Sequence, residues 1–114
     1  MVNISTVRDL ALAFPETEEY QHFDKPAFRV RKSIFATVHL KEKNVVVKLS
    51  AQDQSTFCLF DNTIIYPVPG AWGRQGWTLI ELKRVRKTMF QDILTVAYCT
   101  VAPSTLASQY LRAK

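Results

Sequence analysis

The sequence predicts an α+β fold in two layers, an antiparallel sheet with helices on one face, in the order α-βββ-α-ββ-α-α. Three observations carry this. Apolar residues recur at helical spacing at the beginning (Ile4, Val7, Leu10, Ala11, Phe14) and near the end (Met89, Phe90, Ile93, Leu94, Ala97, Val101). Between them lie period-two runs joined by short polar loops, the pattern of hairpins. The chain has 114 residues, 47% of them hydrophobic, enough for one core that buries roughly two-thirds of the unfolded surface. Residues 1–114 therefore read as a single domain.

The first helix is expected from a capping-box spacing, Thr6 with Asp9, and ends by Pro15, which cannot continue it. Glu16 to Pro26 reads as an acidic and then aromatic connector with room for a short extended segment. Three strands follow at Ala27 to Val30, Ile34 to Leu40 and Val45 to Leu49, a meander through the turns Arg31-Lys32-Ser33 and Lys41-Glu42-Lys43-Asn44. Ser50 with Asp53 opens a second helix that ends near Asp61-Asn62. Thr63 to Val68 is rich in β-formers but carries Pro67, followed by Pro69, so it is expected at a sheet edge or as a partly paired strand. Trp77 to Leu82 is the last strand, a long helix spans Lys87 to Val101, and Pro103 suits the first turn of a short terminal helix.

Alternation assigns the two faces of the sheet. Phe28, Val30, Ile34, Ala36, Val38, Leu40, Val45, Val47 and Leu49 share the parity of a core face. Arg29, Arg31, Phe35, Thr37, His39, Val46 and Lys48 share the other, and Glu81 brings Trp77 and Leu79 outward with it. This outer face combines cations with aromatic rings, a platform suited to phosphates and bases. Charge is also uneven along the chain: residues 1–24 carry a net −4 and the rest +9, which favours an anionic partner.

Several function classes find no support. Cys58 and Cys99 lie inside apolar helical patterns and read as two buried thiols, too few for a disulfide framework. No His, Cys or carboxylate cluster has metal spacing, and no Ser or Cys sits in a nucleophile context, so neither metal, cofactor nor catalysis is expected. Gly70, Gly73 and Gly76 lack the spacing and the following lysine of a nucleotide loop. The longest apolar run is too short for a membrane span, and Met1 to Asp9 lack a signal-peptide layout, so a cytoplasmic location without membrane contact is expected.

Four phrases in this order carry a family resemblance: Lys25-Pro26-Ala27-Phe28-Arg29-Val30, Ile34-Phe35-Ala36-Thr37, the loop Trp72-Gly73-Arg74-Gln75-Gly76-Trp77, and Ala97-Tyr98 through Val101-Ala102-Pro103. Over nearly its whole length the chain resembles the MmcQ/YjbR family. The resemblance implies an α-β3-α-β2-α fold similar to secretion-chaperone-like and CyaY-like domains, and a family described as a double-wing DNA-binding domain. It brings no catalytic residues. The run Lys83-Arg84-Val85-Arg86-Lys87 departs from the acidic or neutral turn common at this place in such sequences.

The expected function is low-specificity binding of DNA or RNA by a monomer or weak dimer. The outer face would supply Arg29, Arg31, Phe35, His39, Lys48, Arg74 and Trp77, with Lys83, Arg84, Arg86 and Lys87 as an additional basic turn. One alternative is an adaptor that binds a peptide or partner protein. Another is a small-ligand site or enzyme of unknown class, with the Trp72 to Trp77 loop as the ligand-stacking candidate.

Overall fold

The computed structural model describes residues 2–111. Helix α1 (Ile4–Leu12) leads into strands β1 (Thr17–His22), β2 (Lys25–Val30), β3 (Ser33–His39) and β4 (Asn44–Lys48). Then come α2 (Ala51–Cys58), β5 (Ile65–Pro67), the one-turn α3 (Ala71–Arg74), β6 (Trp77–Glu81), α4 (Lys87–Val101) and α5 (Ser104–Leu111). The six strands form one antiparallel sheet in the order β1-β2-β3-β4-β6-β5. The proline-containing β5 sits at an edge, as expected of a strand that lacks ladder donors.

Capping explains where two of the helices begin. Ser50 Oγ accepts from the Asp53 amide at 3.1 Å and starts α2 where the sequence places it. At α1 the cap is Asn3, whose Oδ1 accepts from the Thr6 amide at 2.8 Å, so the helix starts before the Thr6–Asp9 box.

Two elements were not expected as such. The loop around the tryptophans folds as α3, and the acidic connector is a full edge strand, β1. Pairing with β2 places Glu18 opposite Arg29, with Arg29 Nε 2.9 Å from Glu18 Oε2. Two positions further on, just beyond the ends of the two strands, Arg31 grips both carboxylate oxygens of Glu16 at 2.7 and 3.0 Å. On the other face of β1, Glu19 receives both ends of the Arg8 guanidinium from α1, at 2.7 and 3.0 Å. Bidentate pairs of this kind fix geometry as well as adding attraction. They hold a strand whose own side chains are too polar to be held by burial alone.

The core lies between the helices and one sheet face, with Val7 and Ala11 of α1 and Phe90, Ile93, Leu94, Ala97 and Tyr98 of α4 against Phe28, Val30, Ala36, Val38, Val45, Val47 and Ile80. Burial at about 25 cal/mol per Å² of apolar surface is what holds the two layers together. The expected parity fails at three positions. Between β2 and β3 the register shifts by one, from Phe28 opposite Ala36 to Arg29 opposite Ile34, which leaves Phe35 with no opposite residue. Phe35 thereby turns inward and is fully buried, edge-on to Phe14 at 6.1 Å and to Tyr98 at 5.6 Å. Ile34 turns outward in its place, and Leu40 falls just past the end of β3, half exposed. Phe35 is thus a core residue and not part of the outer face.

Candidate functional site

The outer face is built of cross-strand rows. One row crosses all six strands through consecutive pairings: Tyr20, Ala27, Thr37, Val46, Leu79, Tyr66. A second joins His22 to Lys25 on the first two strands, and His39 to Asn44 and Glu81 on the third, fourth and sixth. Lys48 pairs with Trp77. Apart from Ala27, these side chains are half-buried, whereas the corresponding core-face residues are inaccessible.

At the centre of this face lies a cavity of about 300 Å³. Ile34, Thr37 and Val46 form its sheet floor, and Trp72, Trp77 and Val68 stand on one side. His22, Phe23 and Lys25, at the turn between β1 and β2, stand on the other, with His39 also lining it. Trp72 is 61% exposed and Phe23 is 85% exposed, so two large rings border the cavity with most of their surface in water. Phe23 also has φ of 58°, in the left-handed region that a bulky side chain seldom adopts. Strain of this sort costs on the order of 1–3 kcal/mol and clusters at ligand clamps.

Backbone packing fixes the tryptophans. Gly76 lies so close to Leu49 that an added Cβ would stand 1.8 Å from its carbonyl oxygen, and its φ of 102° is itself a glycine conformation. The Leu49 amide in turn donates to the Gly76 carbonyl at 3.0 Å. The glycines of this loop therefore let α3 seat against the sheet and place Trp72 beside Trp77.

The sequence-predicted residues separate into groups. Trp77, His39 and Lys48 belong to the outer face. Trp77 and His39 line the cavity, while the Lys48 ammonium sits 5.5 Å from the Trp77 ring centroid and donates to the Gln75 carbonyl. Arg29 is engaged twice, paired to Glu18 and stacked 4.0 Å from the Tyr20 ring centroid. Arg31 is held by Glu16 at the sheet end. Arg74, exposed at the end of α3, borders a different cleft, beside Pro67, Pro69 and Gln54. Lys83, Arg84, Arg86 and Lys87 lie beyond the end of β6 and border the main cavity nowhere. Sequence reasoning missed Phe23 and Lys25 as cavity residues, because both depend on β1 folding back as a strand.

The titratable groups do not converge. The Tyr20 hydroxyl lies 3.3 Å from His22 Nδ1, and among the described residues neither His22 nor His39 is hydrogen-bonded to a carboxylate. Burial, and then the nearby Lys25 ammonium, hold His39 below its ordinary value of 6.5 against an opposing pull from Glu42, so it is neutral near pH 7. Among the described residues no group of three or more His, Cys, Asp or Glu is placed to hold a metal. Cys58 and Cys99 are half-buried thiols whose pKa burial raises, which disfavours a reactive thiolate. What the arrangement can do is receive a planar apolar group between rings, with Lys25 and Lys48 near it for negative charge. No helix among the described residues is long and apolar enough to cross a membrane.

A family model described as YjbR matches residues 12–100. A crystal structure of Deinococcus radiodurans protein DR2400, with the domain DUF419, superposes with a TM-score of 0.79 at 15% identity, over 96% of this chain and 88% of that one. At that identity the likeness concerns the fold. No curated protein matches.

Proposed function

The chain belongs to the YjbR family, and from that premise we propose that its outer sheet face binds single-stranded nucleic acid, taking an unstacked base into the cavity beside Trp72 and Trp77. The observation that carries this is a preformed cavity of about 300 Å³ bordered by exposed rings, one of them on a strained turn. Stacking of a base on an aromatic side chain contributes about 1–3 kcal/mol and tolerates any sequence. A cavity of this size falls at the small end of those that hold ligands, the scale of one base.

Phosphate contacts are few in this reading. Arg29 and Arg31 face carboxylates, which leaves Lys25 and Lys48 to neutralise the backbone near the cavity. Two contacts on a single strand give a log–log salt slope of roughly −1.4, at about 0.7 per phosphate. A duplex keeps its bases stacked inside and offers this cavity nothing. In this reading the binding module is a single domain acting as a monomer or weak dimer in the cytoplasm.

The test is a titration with an oligothymidine, followed by quenching of tryptophan fluorescence. Trp72→Ala and Phe23→Ala are expected each to weaken binding about tenfold. Arg29→Ala is expected to change it by no more than about twofold, because its charge is already matched. No binding of any single strand at low salt and high micromolar protein refutes the proposal. A mononucleotide that binds as tightly as the oligomer shows that the cavity takes a small planar anion, not a strand.

A further inference from the structure

A second surface lies where the end of α2 meets the turn from β6 into α4, and we propose that it docks an acidic amphipathic segment of a partner protein. Leu59 and Phe60, consecutive residues just past α2, are 83% and 63% exposed. Single exposed apolar side chains are ordinary, but two adjacent large ones beside a groove mark a contact surface. Phe60 borders a cleft of about 150 Å³, with Ile64, Val85 and Met89 supplying apolar walls, Arg86 supplying a cation unpaired among the described residues, and Asp61 and the Glu81-paired Arg84 also at its lining. An apolar anchor next to a preformed cleft is the usual core of a docking site. This cleft shares no lining residue with the cavity on the outer face, and the inference does not rest on the nucleic-acid reading.

Charge selects the occupant. Two carboxylates beside the cleft, Asp61 and Glu81, are engaged within the chain. Asp61 accepts from the Thr63 amide and hydroxyl, which holds its pKa below the ordinary value, and Glu81 accepts from the Tyr66 hydroxyl and pairs with Arg84 at 3.0 Å. Lys83, Arg86 and Lys87 are exposed and form no ion pair among the described residues. The Leu82 amide donates to the Lys43 carbonyl, which brings the turn carrying Lys41, Glu42 and Lys43 to the same end of the sheet, where its two lysines outnumber its one carboxylate. The first turn of α4 contains no acid to offset these cations.

An apolar cleft under a positive field repels a second copy of the same surface and attracts carboxylates. A partner helix with leucines on one face and glutamates on the other satisfies both features, seating its apolar side on Leu59 and Phe60. A phosphate backbone would match the charge and leave the two apolar residues in water.

The probe is a synthetic peptide of about twelve residues, near the minimum for a marginal helix, with leucines at i, i+3, i+4 and i+7 and glutamates elsewhere. Titrated into ¹⁵N-labelled protein, it is expected to shift the amide signals of Phe60, Val85 and Arg86 and to leave those of Trp72 and Trp77 in place. Phe60→Ser and Arg86→Glu are each expected to weaken it about tenfold, and the same peptide with lysines for glutamates should not bind. If Phe60→Ser fails to fold, the exposed Arg86→Glu decides alone. Four results overturn the proposal: no shift at millimolar peptide, equal binding of the lysine peptide, the same signals moved by an oligonucleotide or anionic vesicles instead of the peptide, or a dimer in sedimentation that Arg86→Glu removes.

Discussion

Arg29 on β2 and Arg31 just past its end look as basic along the chain as Lys83, Arg86 and Lys87 after β6, yet the fold treats the two groups oppositely. The first two face carboxylates at salt-bridge distance, Arg29 meeting Glu18 of β1 and Arg31 meeting Glu16 just before that strand. The later group meets no carboxylate among the described residues. A count of lysines and arginines is therefore a poor measure of the field a surface presents, because antiparallel pairing can place an acidic segment directly against a basic one. Neutralised cations hold strands in register, and unmatched ones remain available to partners.

Reversing charges in the two groups gives the largest separation between them. Arg29→Glu sets two carboxylates opposite each other and removes the contact with Tyr20, and it is expected to lower stability by about 1–2 kcal/mol in chemical unfolding. Lys83→Glu, at an exposed position without an ion pair, should stay within about 0.5 kcal/mol of the parent. Equal losses from the two would break the distinction.

A smaller effect concerns how the outer cavity responds to acid. His39 is held below 6.5 chiefly by burial, with Lys25 adding to the depression. A base depressed in this way makes the unfolded chain the better proton acceptor, so its contribution to stability declines as pH falls below 6.5 and levels off below the folded value. A bound anion reverses the preference by favouring the imidazolium. Oligothymidine affinity should accordingly rise as pH drops from about 8 to about 6, and His39→Gln should flatten the part of that rise due to this residue. Affinity that instead weakens on acidification would place the phosphates away from His39.

The smallest expected change lies in the turn between β2 and β3. Arg31 and Lys32 both have positive φ, 47° and 72°, as a two-residue hairpin turn requires, without the glycine or asparagine that adopts it readily. Lys32→Gly should relieve strain and raise stability by about 0.5–1 kcal/mol, measured as a shift in urea midpoint at constant slope. A loss of stability would mean that the Lys32 side chain makes a contribution its exposure conceals.

These contrasts show which parts of the structure were legible in the sequence. The β2 to β4 meander, the Ser50 cap, the edge placement of β5 and the span of α4 follow from local patterns, and local patterns were sufficient there. Strand β1 shows in the sequence only as room for a short extended segment, because Glu18, Glu19, Tyr20, Gln21 and His22 offer no apolar alternation. Its signal is cross-strand: acids at 16 and 18 and arginines at 29 and 31 have the same spacing and meet in antiparallel order. Helix α3 was hidden by its glycine, which is present for close backbone contact: a Cβ on Gly73 would stand 2.0 Å from the Val68 carbonyl oxygen. Of the site, Trp77, Lys48 and His39 were visible by parity, whereas Phe23, Lys25 and Trp72 come together only through the tertiary fold.

The displaced register at Phe35 also acts as a latch on strand alignment. Because side chains alternate, sliding β3 by one residue along β2 would exchange its two faces. In a regular hairpin with apolar residues on both faces, such a slip is inexpensive, and β3 carries Ile34, Phe35, Ala36 and Val38 in close succession. Here a slip would pull Phe35 from its place among Phe14 and Tyr98 and send Ile34 toward the helices, losing an aromatic cluster without gaining an equivalent one. The irregularity that upset the alternation thus selects one alignment of the hairpin over its neighbours.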